Sequence, residues 1–98
     1  MRESKLRVGV LGAGTWAKFA HIPGWQRDPR SEVVAICDVD GERARDYAAR
    51  FAIPEATKDW QAVVGRADLD AIDVVTPSHT HYELALAALE AGKHVLCE

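Results

Sequence analysis

The chain lacks most features that would place it outside the ordinary globular proteins. It has only two cysteines in 98 residues, which argues against a disulfide scaffold and fits a reducing, cytoplasmic environment. Its formal net charge of −3 gives no electrostatic reason to expect nucleic acid or an anionic membrane surface as a partner. No apolar run approaches the roughly 20 residues that span a bilayer. The length allows one domain with one modest core.

Short apolar runs alternate with helical patterns along the chain, without an internal repeat, a low-complexity segment or a linker. Apolar runs bounded by turn residues predict strands. We expect strands at residues 6–11, 32–38, 55–58, 71–76 and 94–97. Alternation of this kind indicates an α/β fold with a doubly wound parallel sheet, and the expected strand order is 3-2-1-4-5.

Helices are expected between the strands. A first helix over residues 15–20 should meet a break or kink at Pro23 and Gly24, because proline cannot donate a hydrogen bond inside a helix. Asp40 and Asp59 are plausible N-caps of the second and third helices. The spacing of apolar residues predicts the buried face of the second helix, which consists of Ala44, Tyr47, Ala48 and Phe51.

The last helix should follow a Pro-Ser turn, with Ser78 or Thr80 as its cap, and Gly92 should end it. Its predicted buried face consists of Leu84, Ala85, Ala88 and Leu89. In open parallel sheets, ligands bind beyond the carboxyl ends of the strands, near the point where the strand order reverses. The segments to inspect are therefore residues 12–17, 38–40, 76–81 and residue 98.

The segment GAGTWA fits the G-x-G-x-x-G/A fingerprint of dinucleotide-binding proteins. It follows a predicted strand and opens a predicted helix, whose free N–H groups would face the phosphates. The first glycine would allow a tight turn, and the second would let the backbone approach a pyrophosphate. The candidate cofactor-binding residues of this glycine loop are Gly12, Ala13, Gly14, Thr15 and Trp16.

Asp38 ends the second predicted strand and is the acidic residue expected to complete the fingerprint. Its carboxylate could accept hydrogen bonds from both adenosine ribose hydroxyls and would repel a 2′-phosphate, which favours NAD over NADP. The alternative is that Asp38 only solvates the end of a strand. Arg43 could stack on adenine or accept a 2′-phosphate, which keeps NADP possible, or it could be a solvated helix residue.

The segment TPSHTH, residues 76–81, is the second unusual stretch. Its two histidines invite a metal hypothesis with His94 and Cys97 as further ligands. Those two residues would lie about 10 Å apart on opposite faces of a strand, and no recognised zinc spacing is present, so no metal site is predicted. His79 and His81 then form either a solvated helix entrance or a wall of the cofactor site.

Four other residues are interpreted as structural. Cys37 and Cys97 end strands that would lie far apart in the sheet, so they are expected to be small core residues rather than a bridge. His21 lies near the predicted helix break, where a structural role is expected. Trp25 is interpreted as a packing residue.

Four segments together, GVLGAGTWA, VVAICD, VVTPSHTH and ALEAGKHVLCE, resemble the glucose–fructose oxidoreductase/inositol dehydrogenase/MocA family of oxidoreductases. The resemblance covers nearly the whole chain, and the two later segments are its most specific part. It implies a Rossmann-like nucleotide-binding domain that is followed, in that family, by a larger α+β domain.

The resemblance also implies roles for individual residues. It puts the glycine loop on the pyrophosphate and Asp38 on the adenosine ribose. It places four residues along the ribose and nicotinamide side of the cofactor: Thr76, Pro77, His79 and His81. Glu98 matches the glutamate of the family's Glu-Lys-Pro signature, whose lysine and proline are absent from this sequence.

The resemblance therefore implies that residues 1–98 are an incomplete dinucleotide-binding domain, cut before the catalytic lysine. The parent would be a cytoplasmic, homo-oligomeric NAD(P)-dependent enzyme that oxidises or reduces a sugar, inositol or related polyol. These residues alone would supply cofactor binding and no catalytic residue. Two alternatives stay open on the same scaffold: a non-enzymatic NAD-binding regulator, and a redox-neutral enzyme that cleaves glycosides with NAD assistance.

Overall fold

The structure is a computed structural model that describes residues 5–97 of the chain. Its strands are β1 (Leu6–Leu11), β2 (Ser31–Cys37), β3 (Glu55–Thr57), β4 (Ala71–Val74) and β5 (His94–Cys97). They form one sheet in the order β3-β2-β1-β4-β5, and all neighbouring strands are parallel. The predicted fold class and strand order are confirmed.

Helices connect the strands in the alternating pattern expected from the sequence. They are α1 (Ile22–Arg27), α2 (Gly41–Phe51), α3 (Trp60–Val64) and α4 (His81–Glu90). A π-helical segment, Ala17–His21, leads into α1, and a 3₁₀ turn, Ser78–Thr80, leads into α4. None of the helices within residues 5–97 is long and apolar enough to cross a membrane.

The central strand β1 sends alternate side chains to the two faces of the sheet, and each face carries an apolar layer. One layer joins β1 to the π-helical segment, α1 and α2 through Val8, Val10, Ala17, Ile22 and Tyr47. The other layer joins β1 to α3 and α4 through Leu11, Val63, Leu84 and Ala88. Because helices cover both faces, the carboxyl ends of the strands are left as the place where a ligand can enter.

The first helix departs from the prediction. A helical run extends from Thr15 to Arg27 and does not end at residue 20. Its irregularity is the π-helical segment, in which the Ile22 N–H donates to the Ala17 carbonyl. Pro23 follows in the first turn of α1, where no N–H is needed. The helix therefore changes its hydrogen-bond register beside Pro23 without ending there.

The predicted caps are confirmed for two helices and wrong for a third. The side chains of Asp40 and Asp59 each accept two backbone N–H groups, at the start of α2 and of α3. Thr80 precedes α4, but its side chain makes no capping hydrogen bond. Its hydroxyl lies 2.6 Å from Thr76 Oγ1, so it braces the preceding turn instead. Gly92 follows α4 with a φ of +79°, the left-handed conformation that ends a helix.

Three other expectations are corrected. Leu89 is 59% exposed, because α4 carries apolar residues on more than one side and only the side with Leu84 and Ala88 faces the sheet. Strand β4 ends at Val74, two residues before its predicted end. Cys37 is buried as expected, whereas Cys97 is exposed because β5 lies at an edge of the sheet.

Candidate functional site

Two neighbouring pockets lie at the carboxyl ends of β1, β2 and β4. They share four lining residues, Gly12, Asp38, Thr76 and Pro77. The first, the apolar pocket, has a volume of about 300 Å³ and is also lined by Cys37, Val39, Trp60, His79 and Leu84. The second, the glycine-loop pocket, has a volume of about 470 Å³ and is also lined by Ala13, Gly14, Trp16, Arg43 and Ser78. The three carboxyl-end segments inspected in the sequence thus form one continuous cleft.

Gly12 and Gly14 shape the loop between β1 and the first helix. Gly12 has a φ of +111°, and a Cβ placed there would lie 2.8 Å from the backbone carbon of Val75. Only glycine fits this turn without strain. At Gly14 a Cβ would meet nothing within 4 Å, so this residue leaves open space on the side of the pocket. The loop has the tight turn and the open approach that the fingerprint requires.

Side chains from two other elements hold this loop. Asp38 Oδ1 accepts a hydrogen bond from the Ala13 N–H at 2.9 Å, and Asp38 Oδ2 accepts one from the Asp40 N–H at 2.9 Å. The hydroxyl of Tyr47, on α2, donates to the Gly14 carbonyl at 3.0 Å. A carboxylate has about four acceptor positions, so both oxygens of Asp38 retain capacity for a ligand.

Arg43, at the start of α2, offers a cation to the cleft. Arg43 lines the glycine-loop pocket together with Asp38, and its Nη2 lies 4.0 Å from Asp40 Oδ2. This contact is long and half-exposed, so it restrains the guanidinium weakly. Arg43 can therefore reach a ligand in the cleft.

The turn after β4 is held by its own side chains. Thr76 and Pro77 line both pockets and His79 lines the apolar one, so the structure places these three in the cleft. His81 lines neither pocket, and its Nε2 lies 2.6 Å from the Thr76 carbonyl. His81 therefore fixes the turn. Thr15 also lines neither pocket.

Trp16 is 68% exposed and lines the glycine-loop pocket, so an aromatic surface is available there. Glu98 lies outside the described residues. Within residues 5–97, no group of three or more His, Cys, Asp or Glu side chains is arranged to hold a metal ion.

Burial raises the pKa of the Cys37 thiol to about 11, and the carboxylates of Asp38 and Asp59 add to the effect. The thiol is therefore protonated at neutral pH and is not a nucleophile. It contributes apolar surface to the pocket beside Asp38.

Two residues near the site were missed by the sequence analysis. Tyr47 was interpreted only as a core residue, and no local signal could have shown its hydrogen bond to a loop 33 positions earlier. Asp73 is completely buried in β4, where it contacts His21 and Trp25. A charged residue inside the apolar run AIDVV was the available signal. The structural role expected for His21 is confirmed by this contact.

Comparisons with known proteins agree with this geometry. The model of an oxidoreductase family with an NAD-binding Rossmann fold matches residues 6–98. Levoglucosan dehydrogenase of Pseudarthrobacter phenanthrenivorans is 35% identical over 100 residues, which cover 95% of this chain and 26% of that protein. D-glucoside 3-dehydrogenase of Escherichia coli is 37% identical over 98 residues, which cover 100% of this chain and 28% of that protein.

A solved structure gives the same result. A 3-ketoreductase from Actinomadura kijaniata, in complex with TDP-benzene and NADP, superposes with a TM-score of 0.90 at 36% identity. The match covers 96% of this chain and 29% of that one. The chain thus spans little more than a quarter of the length of the curated relatives it matches.

Proposed function

The chain belongs to the glucose–fructose oxidoreductase/inositol dehydrogenase/MocA family and is an NAD(P)-binding oxidoreductase domain, and we propose that it serves an enzyme acting on sugars or polyols. In this proposal a hydride passes between the nicotinamide and a hydroxyl-bearing carbon of a sugar, inositol or related polyol. The carrying observation is the cleft in which the glycine loop, Asp38 and the Thr76–Pro77 turn meet. The names of relatives that act on sugars and glycosides support the substrate class.

We assign the pyrophosphate to the glycine-loop pocket. The loop residues concerned are Gly12, Ala13, Gly14, Thr15 and Trp16. The open space at Gly14 and the start of the helical run at Thr15 support this assignment, because unpaired N–H groups at a helix start attract phosphate. The remaining free capacity of Asp38 is assigned to the adenosine ribose, and Thr76, Pro77 and His79 to the ribose and nicotinamide side. His81 lines neither pocket, and we assign it to this side only through the turn that it holds at the Thr76 carbonyl.

NAD is the proposed cofactor, with NADP as the alternative. The carboxylate of Asp38 would repel a 2′-phosphate at the position where it would accept the ribose hydroxyls. Arg43 favours NADP instead, because its loosely held guanidinium could pair with a 2′-phosphate. The 3-ketoreductase from Actinomadura kijaniata, whose solved structure is in complex with NADP, supports this alternative.

The proposed domain is incomplete at residue 98, and the rest of the enzyme would supply the acid/base residues and the oligomer contacts. Relatives almost four times as long support this proposal. Glu98, proposed as the first residue of the Glu-Lys-Pro signature, would bring the cofactor site to the reacting carbon.

Replacing Asp38 by serine tests the cofactor assignment. The Asp38→Ser variant should bind NADH about tenfold more weakly, because hydrogen bonds to a charged acceptor are lost, and should bind NADPH as well as or better than before. Binding is measured by titration with tryptophan fluorescence, to which Trp16 in the pocket contributes. Asp46→Asn, an exposed change on α2, is the matched control and should change neither affinity. Unchanged relative affinities in Asp38→Ser would remove the basis for preferring NAD.

A further inference from the structure

We infer that Asp73 of β4, which lines neither pocket, positions the glycine loop for the dinucleotide by fixing the rotation of the helix that follows it. This inference rests on the proposed function, because it concerns how the loop meets a pyrophosphate. It assigns Asp73 as a positioning residue, with His21 and Trp25 as the groups through which it acts.

Asp73 is fully buried, and one of its oxygens holds two side chains of the first helix. Oδ2 accepts a hydrogen bond from the Trp25 indole N–H at 2.8 Å and one from His21 Nδ1 at 2.8 Å. The side chain of His21 is only 7% exposed. Burying a carboxylate without hydrogen-bond donors costs free energy, so losing the contact of Asp73 with these two donors would be strongly unfavourable. The other oxygen, Oδ1, has no hydrogen-bond partner within residues 5–97, so the contact depends on Oδ2 alone.

The two donors lie on the far side of the π-helical segment from the glycine loop. His21 ends that segment, and Trp25 lies one turn later on the same face of the helix. A π turn contains one residue more than an α turn. Conversion of this turn to an α turn would rotate the residues before it by about 100° and shift them by about 1.5 Å relative to α1.

Pro23 explains why the wide turn forms at this place. Its ring excludes the α-helical hydrogen bond to the carbonyl of Phe19, so the chain loses little when the register changes there. Proline does not determine the rotation of the earlier residues by itself, since a kinked α-helix would also satisfy it. A contact from outside the helix is needed to select the wide turn.

The loop end of the segment is held independently. Asp38 holds the Ala13 N–H, and the Gly14 carbonyl accepts from the Tyr47 hydroxyl and from the Lys18 N–H. Asp73 holds the other end. The chain between these anchors contains the extra residue of the π turn. In this inference the direction of the Thr15 and Trp16 N–H groups therefore depends on both anchors.

The test compares a ligand that has a pyrophosphate with one that has none. Trp25→Phe removes one donor and keeps the aromatic volume, and His21→Ala removes the other donor. Each should weaken ADP-ribose binding about five- to tenfold while adenosine binding stays within about twofold, because only the pyrophosphate meets the reoriented N–H groups. His21→Asn places an amide donor near Nδ1 and should restore most of the ADP-ribose affinity. Calorimetry is the readout, since Trp25→Phe alters fluorescence.

Ser31→Ala is the matched control. The Ser31 hydroxyl donates to the Trp25 carbonyl at 2.7 Å, so the variant loosens the end of the same helix without touching Asp73. It should lower the melting temperature and leave ADP-ribose affinity unchanged. Equal losses for both ligands, or the same ADP-ribose loss in Ser31→Ala, would show that Asp73 only stabilises the fold and would overturn the inference.

A second readout needs no ligand. The amide chemical shifts of Thr15 and Trp16 should move in Trp25→Phe and stay in place in Ser31→Ala, and unmoved shifts in Trp25→Phe would overturn the inference. Failure of the unchanged chain to bind NADH or ADP-ribose would instead refute the proposed function. If the unchanged chain binds both and the variants keep their ADP-ribose affinity, only the role of Asp73 is refuted.

Discussion

Gly12 and Gly14 stand two positions apart in one loop, yet only the first is required by the fold. Gly12 combines a φ of +111° with backbone atoms 2.8 Å from where a Cβ would lie. Gly14 has neither constraint, because its surroundings are open to 4 Å. The proposed pyrophosphate, which would approach the backbone here, accounts for the lack of a side chain at Gly14.

Alanine at each position separates these two roles. Gly12→Ala should lower the free energy of unfolding by about 2–4 kcal/mol, through the left-handed conformation and the clash with Val75. Gly14→Ala should stay within about 1 kcal/mol of the unchanged chain. It should nevertheless bind NADH at least about tenfold more weakly, because the methyl group would occupy the space proposed for the pyrophosphate. Denaturant titration and NADH titration measure the two effects, and a stable Gly14→Ala variant with full affinity would contradict the assignment.

The two cysteines differ in exposure for reasons that their sequence positions do not reveal. Both end strands, but Cys37 lies in an inner strand and Cys97 in an edge strand. Burial raises the pKa of Cys37 to about 11, which leaves almost no thiolate at pH 8.

A thiol-specific reagent should therefore modify one cysteine per native chain, and both after denaturation. Absorbance of the released chromophore counts the thiols, and Cys97→Ser should abolish the native reaction. Rapid modification of Cys37 in the folded Cys97→Ser chain would show that the pocket beside Asp38 opens more than the structure indicates.

At the scale of helices and strands, short sequence patterns predicted those features that depend on contacts between residues close together in the chain. Asp40 and Asp59 were recognised as caps because each bonds to N–H groups two and three residues away. The end of the first helix was mistaken because Pro23 was judged without the π turn that accommodates it. That turn ends at His21, whose partner Asp73 follows it by about 50 positions and is invisible to any local pattern.

The cap of α3 offers a direct measurement at this scale. Asp59→Ala removes the acceptor of the Gln61 and Ala62 N–H groups and should lower the free energy of unfolding by about 1 kcal/mol. Asp59→Asn keeps a capping oxygen and should recover most of that loss. Asp46→Ala, an exposed change within α2, is the matched control for loss of a carboxylate. Equal unfolding midpoints for Asp59→Ala and Asp46→Ala would show that the cap contributes nothing.

At the scale of the molecule, the carboxyl and amino ends of the parallel strands differ in structure. The carboxyl ends of the strands form the two pockets, whereas ion pairs connect the strands near their amino ends. There Arg7 of β1 contacts Glu32 and Asp68, and Arg66 contacts Asp68 and Glu55. These pairs connect β1, β2, β3 and the segment before β4. The cleft at the carboxyl ends of the strands was predictable because glycines and acidic residues mark those ends. The ion-pair network was not, because its members are ordinary charged residues until the sheet aligns them.

Two ion pairs, Arg66–Asp68 of this network and Arg30–Asp28 outside it, should contribute to the response of the fold to acid. Hydrogen bonds from Arg66 hold the pKa of Asp68 well below its usual value of 3.8, and hydrogen bonds from Arg30 lower the pKa of Asp28 to about 2. The unfolded chain therefore takes up protons at these carboxylates at a higher pH than the folded chain does. Their contribution to stability is complete above about pH 5, well above the unfolded-state pKa of 3.8, and is lost as the pH falls toward 2 and below.

As far as the carboxylates of Asp68 and Asp28 are concerned, the melting temperature should stay nearly constant as the pH is lowered to about 5. It should then fall steeply between about pH 4 and pH 2. Asp68→Asn removes the shifted carboxylate and the charge that joins Arg7 to Arg66. It should lower the melting temperature at pH 7 and flatten the acid-dependent fall, so that the melting temperatures of the two chains approach each other as the pH falls toward 2. Arg27→Gln, a change of one exposed charge at the end of α1, is the control and should leave the slope unchanged. If the melting temperatures of Asp68→Asn and the unchanged chain fall in parallel with pH, acid does not act through the ion pairs of Asp68.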